Sequence, residues 1–269
     1  MKERLIAAIA ALAIVLPTLI YGGTIGFFIL GLVIVGIGSG ELWNMFSNHN
    51  AFPSYLKWVL TLVYVAVFVA LFYWQAGLVP ILIVALFVLW MTGLFAVPDN
   101  DLGMKWASYS TFGLMYLPFL LSTFVQVRAI ETYGLQWLFL TLVLTWSADS
   151  GAYFAGRAFG KHKLFERVSP KKTIEGVVGG VLLAMLVGVL FCGQWLPMVP
   201  IWLAGLVGMI WALLSVVGDL VESMMKRAFG VKDSGNIMPG HGGAIDRLDS
   251  LLFTFPATWL LVQYGLPLL

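Results

Sequence analysis

Five carboxylates, four bases and a histidine fall within the 31 residues from Asp219 to Asp249. Asp219, Glu222, Ser223 and Lys226 are spaced i, i+3, i+4 and i+7, so on a helix they form one polar stripe. The run Ser215-Val216-Val217-Gly218 before them is largely apolar, and an acid at the end of such a span is costly unless paired, hydrated or metal-bound. For Glu222 a salt-bridged cap with Lys226 competes with a role in chemistry; for Asp219, deeper on the apolar side, chemistry is favoured. Glycines flank His241 at 240, 242 and 243, letting the backbone turn tightly and bring N–H groups close to an anion. Asp246 and Asp249 follow at i, i+3, predicting a shared helix face where the last span opens. Two helix ends, one closing with Asp219 and one opening with Asp246, would be joined by this loop and could lie side by side. Their carboxylate oxygens, set among lysines, suit Mg²⁺ bridged to substrate phosphates.

A second cluster lies upstream. Trp146-Ser147-Ala148-Asp149-Ser150-Gly151 places Asp149 inside or near the end of an apolar run. Ser169-Pro170-Lys171-Lys172-Thr173 then opens the next run, with Ser169 expected to cap the helix and Lys171 and Lys172 adding positive charge for phosphate. Asp149 and Lys172 are read as site residues. Lys161, Lys163 and Arg167 are read as a basic anchor for anionic headgroups. Glu41, isolated in an apolar run, is expected to face the polar pocket or pair with a base, without a catalytic role. His49 and His162 have no partners at metal-ligand spacing and are expected to be solvated.

The elements that must hold these groups are membrane helices. The sequence is 61% hydrophobic and 10% charged, against ~25% charged in ordinary soluble domains. Nine apolar stretches, roughly 5–22, 25–46, 57–75, 78–97, 107–126, 135–157, 174–192, 199–222 and 248–268, are each near the ~20 residues that cross the hydrocarbon as a helix. Placing the N-terminus inside puts Lys2, Arg4, Lys57, Lys105, the bases of 157–172 and those of 226–247 on the inner side. Only Arg128 of the 15 Lys and Arg residues is then outside. The expectation is an all-α polytopic bundle of about nine transmembrane helices, N-terminus cytoplasmic and C-terminus outside. Residues 1–140 form a hydrophobic scaffold and 141–269 a catalytic half with two polar inner segments, folded as one unit. The single cysteine, Cys192, excludes an internal disulfide.

The run Ser223-x-x-Lys226-Arg227-x4-Lys232-Asp233-x-Gly235-x3-Pro239-x-His241-Gly242-Gly243-x2-Asp246-Arg247-x-Asp249 resembles the signature of the phosphatidate cytidylyltransferase family, with about fourteen matching positions. The Asp149 and Ser169-Pro-Lys-Lys-Thr runs look like its companion motifs. The resemblance implies a CTP-dependent nucleotidyltransferase of phospholipid biosynthesis in the bacterial inner membrane. It would join CTP to phosphatidic acid, giving CDP-diacylglycerol and pyrophosphate at the cytoplasmic face. It also implies Mg²⁺, a monovalent cation such as K⁺ beside it, and a homodimer, with no nucleic-acid partner. Carried over residue by residue, Asp219 and Asp246 become the principal metal ligands with Asp249 and Glu222 close by. Asp219, Asp246, Asp249, Lys226 and His241 are the catalytic set, and Asp149, Lys172, Ser223, Arg227, Lys232, Gly242, Gly243 and Arg247 bind substrate phosphate. A cytidylyltransferase for another lipid phosphate, and a transporter whose intramembrane acids bind cations, are the competing readings.

Overall fold

A backbone in hydrocarbon must close its own hydrogen bonds, and this chain does so with helices almost throughout. The computed structural model describes residues 15, 17–74, 77–237 and 242–266. The helices are α1 (Gly23–Ser47), α2 (Leu56–Tyr73), α3 (Leu78–Ala96), α4 (Asn100–Arg128), α5 (Gly134–Phe159), α6 (Ile174–Trp195), α7 (Ile201–Ala228) and α8 (Leu251–Leu260). All but α5 and α8 are long and apolar enough to cross a membrane, and they coincide with six of the nine predicted stretches. The stretch 135–157 forms α5, whose 26 residues include Thr141, Thr145, Ser147, Asp149 and Ser150. The stretch 248–268 forms the ten-residue α8 and a π-helical turn, Leu261–Gly265. Most of 5–22 lies outside the described residues. The chain is a nearly all-helical, multi-pass membrane protein.

Two units make up the fold, residues 1–126 with 228–247, and residues 127–227 with 248–269. In the first, α3 shows what hydrocarbon does to a helix surface. Its buried residues are Ala85, Leu89 and Gly93, on one narrow face, while Val79, Phe87, Leu94 and Phe95 are exposed. The buried stripe packs on α4: a Cβ on Gly93 would sit 3.0 Å from the Gly103 carbonyl, and Trp106 Nε1 donates to Thr92 Oγ1 (2.9 Å). Helix α4 bends through a π-helical turn, Met115–Phe119, around Pro118, which has no N–H to give the preceding turn. Tyr64 of α2 donates to the Ser110 carbonyl (2.7 Å), so neither polar group is left unpaired in the apolar interior.

The second unit is built on a stripe of small residues. Gly176, Gly180, Ala184, Gly188 and Cys192 recur every fourth position of α6 and are buried. A Cβ on Gly180 would lie 2.6 Å from the Ala148 carbonyl of α5, and one on Gly188 would lie 2.8 Å from the Ala204 carbonyl of α7. Without a hydrophobic drive between helices in lipid, such close backbone approach supplies the packing energy. A seam of hydroxyls adds to it. Thr141 and Thr258 Oγ1 are 2.6 Å apart, Trp211 Nε1 donates to Thr258 (3.0 Å), and Thr145 and Thr254 are 3.2 Å apart.

The departure from helix is a hairpin of β1 (Lys163–Phe165) and β2 (Ser169–Thr173), antiparallel, with Lys163 opposite Thr173. It corrects the expected cap. Ser169 lies in β2, and the N-cap of α6 is Thr173, extended at φ −127°, whose Oγ1 accepts from Gly176 N (3.2 Å). The opening of the last span is also corrected. Asp246 lies in a 3₁₀ turn, Ile245–Arg247, and Asp249 in the turn after it, both before α8 begins at Leu251. They therefore do not share a regular helix face.

If the small-residue stripe holds the second unit together, Gly180→Leu should lower stability by about 1–3 kcal/mol or more, because the backbones must separate. Thermal unfolding of the detergent-purified protein measures this. Gly193→Ala, which has nothing within 4 Å of its Cβ, should leave the midpoint near wild type.

Candidate active site

Helix α7 presents the predicted stripe. Asp219 Oδ1 accepts from Ser223 Oγ (3.1 Å) and its Oδ2 pairs with Lys172 Nζ of β2 (2.5 Å). One turn on, Glu222 Oε2 pairs with Lys226 Nζ (2.5 Å), four residues later on the same helix. Glu222 is 0% exposed, with both oxygens shielded from water, and Lys226 is buried beside it. A buried carboxylate is tolerable only with such compensation. The cap expected between Glu222 and Lys226 is present, but it is buried rather than solvated.

Two further acids converge here within the second unit. Gly218 lets α7 approach the start of the last helix: a Cβ there would lie 2.5 Å from the Asp249 carbonyl and 3.0 Å from Ser250 Cα. Asp249 Oδ1 accepts from Ser250 N (2.6 Å). Asp149 of α5 accepts from Ser215 Oγ of α7 (3.2 Å) and lies close enough to Lys172 and Asp219 to feel their charges. Ser215 is fully buried and takes Ser250 Oγ on its carbonyl (3.1 Å). Asp219, Glu222 and Asp249 each offer an oxygen within 4.8 Å of the others. An all-oxygen carboxylate set of this size, flanked by ammonium groups, fits a hard divalent cation such as Mg²⁺ and the phosphates such a cation carries.

The signature loop belongs to the first unit. Asp246, 9% exposed, accepts at Oδ2 from Ser234 N (2.7 Å), Ser234 Oγ (2.8 Å) and Gly243 N (2.8 Å). Gly242 has φ +83°, and a Cβ there would lie 2.5 Å from Asp246 Oδ2. The glycines do bring an N–H to an anion, and that anion is the chain's own carboxylate. His241 lies outside the described residues. Arg227, Lys232 and Arg247 are exposed.

Two readings of bland residues are sharpened. Glu41 of α1 faces this loop and takes its hydrogen bonds, from Ser234 Oγ (3.1 Å), Ala244 N (2.8 Å) and Ile245 N (3.0 Å), rather than pairing with a base. His162 is exposed yet partnered. Its Nδ1 lies 2.6 Å from Glu175 Oε1, and Glu175 also accepts from Lys161 N and His162 N, which fastens the hairpin carrying Lys172 to the first turn of α6. Ser215, Ser234 and Ser250 carry no spacing signal, because a serine suits a span, a loop or a helix start alike and only the fold supplies its partner. Glu41 did carry one, being an isolated charge in a span.

Lys226→Met should cost about 3–5 kcal/mol, since it strips a buried carboxylate of its counter-charge. Adding Glu222→Gln should recover much of that loss, measured by thermal unfolding in detergent. A double variant as unstable as Lys226→Met alone would show that the pair does not govern stability.

The model of the cytidylyltransferase family matches residues 2–265. A phosphatidate cytidylyltransferase of Bacillus subtilis is 33% identical over 267 residues, covering 97% of each chain. One from Staphylococcus epidermidis is 36% identical over 263 residues, covering 95% of this chain and 96% of its own. One from Staphylococcus aureus is 32% identical over 271 residues, covering 95% and 96%. With a family match along almost its whole length and relatives this similar from end to end, the chain belongs to the cytidylyltransferase family.

Proposed function

We infer that this chain transfers CMP from CTP to phosphatidic acid, leaving CDP-diacylglycerol in the membrane and releasing pyrophosphate. Family membership and the names of its relatives support the reaction. The observation that carries it into chemistry is the convergence of Asp219, Glu222 and Asp249 beside Lys172 and Lys226.

A phosphate oxygen of phosphatidic acid attacks the α-phosphorus of CTP in line. The new P–O bond forms as the bond from the α-phosphorus to the oxygen bridging it to the β-phosphate breaks, and that oxygen leaves with the electron pair on pyrophosphate. The substrate brings its own nucleophile, so the protein needs neither a serine nor a cysteine nucleophile. Its work is to hold two polyanions together and to offset charge on the leaving group. Lys172, Lys226, Arg227, Lys232 and Arg247 screen phosphates, Ser223 and Gly242 offer hydrogen-bond donors, and Gly243, whose N–H goes to Asp246, shapes the loop rather than donating to phosphate. Asp149 orients Lys172, and His241 donates a hydrogen bond to phosphate or moves a proton. Asp219, Glu222 and Asp249 would hold Mg²⁺; Asp246 is read as a metal ligand on the strength of its place in the signature, and a monovalent cation such as K⁺ on the strength of the resemblance. When bound, the divalent ion supplies Lewis-acid stabilisation of the leaving pyrophosphate.

The bundle has nine spans, N-terminus inside and C-terminus outside, in the bacterial inner membrane, with the polar ends of the last spans at the cytoplasmic face. The placement of Lys and Arg supports this orientation. Residues 1–140 serve as scaffold and 141–269 as the catalytic half, and two copies form a homodimer.

Purified protein given phosphatidic acid, labelled CTP and Mg²⁺ should form labelled CDP-lipid, and chelation of the metal should stop it. No CDP-lipid from any of several lipid phosphates would sink the enzyme reading. Asp219→Asn should cut turnover about a hundred-fold or more while the protein stays folded in the membrane. Near-normal turnover would remove Asp219 from the ligand set. Lys163→Ala should change the rate by no more than about two-fold, as expected for an exposed side chain away from the chemistry; its Nζ only reaches the Pro170 carbonyl (2.6 Å).

A further inference from the structure

Glu41 lies in α1, 6% exposed, in the sequence Gly38-Ser39-Gly40-Glu41-Leu42-Trp43. A carboxylate carried into an apolar helix costs several kcal/mol unless donors surround it. The donors here come from a stretch some 200 residues later. Oε1 accepts from Ala244 N (2.8 Å), and Oε2 accepts from Ile245 N (3.0 Å) and Ser234 Oγ (3.1 Å). The loop is moulded to it. A Cβ on Gly235 would lie 2.6 Å from Glu41 Oε1, and one on Gly243 would run into both Glu41 Oε1 and Ser234 Oγ.

Ser234 connects this anchor to Asp246. Its Oγ lies 3.1 Å from Glu41 Oε2 and 2.8 Å from Asp246 Oδ2, so one hydroxyl proton is shared between two carboxylates. Asp246 N returns a long bond to the same oxygen (3.4 Å), and Ser234 N and Gly243 N complete the shell of Asp246 Oδ2. The chain thus runs from Glu41 to the backbone of 244–245, and through Ser234 to the Asp246 carboxylate. All of these residues belong to the first unit.

We propose that Glu41 is the positioning residue of the signature loop: it fixes the backbone at 244–245 and, through Ser234, the orientation of Asp246. The proposal rests on the reading that this loop serves cytidylyl transfer. Glutamate suits the task for a physical reason. Two oxygens accept from three donors, and a glutamine in its place would aim an N–H₂ group at donors on one side. A cation handled by a carboxylate needs that carboxylate held to a fraction of an ångström, and rigid hydrogen bonding to a buried anion does this.

The test uses the full-length protein in detergent, as wild type, Glu41→Gln, Ser234→Ala and Tyr64→Phe. The last removes a buried hydrogen bond elsewhere in the same unit, from Tyr64 to the Ser110 carbonyl. In Glu41→Gln, amide hydrogen exchange across 242–246 should accelerate about ten-fold or more, the size of losing charge-assisted bonds. The kcat should fall about a hundred-fold with KM for CTP little changed, as expected when a reacting geometry is misplaced. The Mg²⁺ concentration for half-maximal rate should rise. Ser234→Ala, a smaller lesion, should move exchange and Mg²⁺ requirement in the same direction, and Tyr64→Phe should move neither. Unchanged exchange across 242–246 in Glu41→Gln overturns the anchoring. Faster exchange with undiminished kcat overturns the positioning role. Wild-type protein that forms no CDP-lipid overturns the reaction and not Glu41's hold on the loop, which exchange decides alone.

Discussion

An acid taken out of water must find positive charge or hydrogen-bond donors, and in this protein that requirement shapes both units. The acids solve it in two ways. Asp219 and Glu222 take ammonium groups, from Lys172 across the hairpin and from Lys226 along the helix. Glu41 and Asp246 take backbone amides and the Ser234 hydroxyl. The distinction has consequences. An ammonium on a long stem can leave its carboxylate for a substrate phosphate, whereas backbone amides cannot leave without unfolding the loop. The ion-paired acids therefore suit exchange with an incoming charged group, and the amide-held acids suit permanence.

The surroundings follow from the same rule applied to lipid. Where the solvent is hydrocarbon, apolar side chains gain nothing by turning inward, and α3 keeps only a narrow face for its neighbours. Packing instead comes from backbone contact at Gly176, Gly180, Gly188 and Gly208, and from hydroxyls that satisfy one another at Thr141, Thr145, Thr254 and Thr258. Ser215 and Ser250 continue this polar line toward Asp149 and Asp249. The site is thus the end of a polar seam that already runs between the helices.

Much of this was legible from composition and spacing. Six spans followed from apolar length, and the polar stripe of α7 followed from the i, i+3, i+4 and i+7 positions of Asp219, Glu222, Ser223 and Lys226, because helical geometry is local. What sequence hid depends on partners distant along the chain. Thr173 rather than Ser169 caps α6, because the hairpin keeps the chain extended through Ser169. His162 finds Glu175 only once that hairpin has folded. Glu41 was visible as an anomaly, but its donors lie about 200 residues away, beyond any periodicity.

The glycines of the signature loop show how a motif can be recognised and its physics still misplaced. Glycines beside a histidine suggest backbone N–H groups opened for a phosphate. The structure gives the N–H of Gly243 to Asp246, and the space where Cβ atoms would stand at Gly235 and Gly243 to Glu41 and Ser234. A side chain at any of these positions would displace a carboxylate of the protein before it touched a ligand. The requirement for glycine at 235, 242 and 243 is thus already accounted for by the loop's own acids. The spacing of the signature reflects internal anchoring as much as substrate recognition, and a buried glutamate far outside the motif helps to set it.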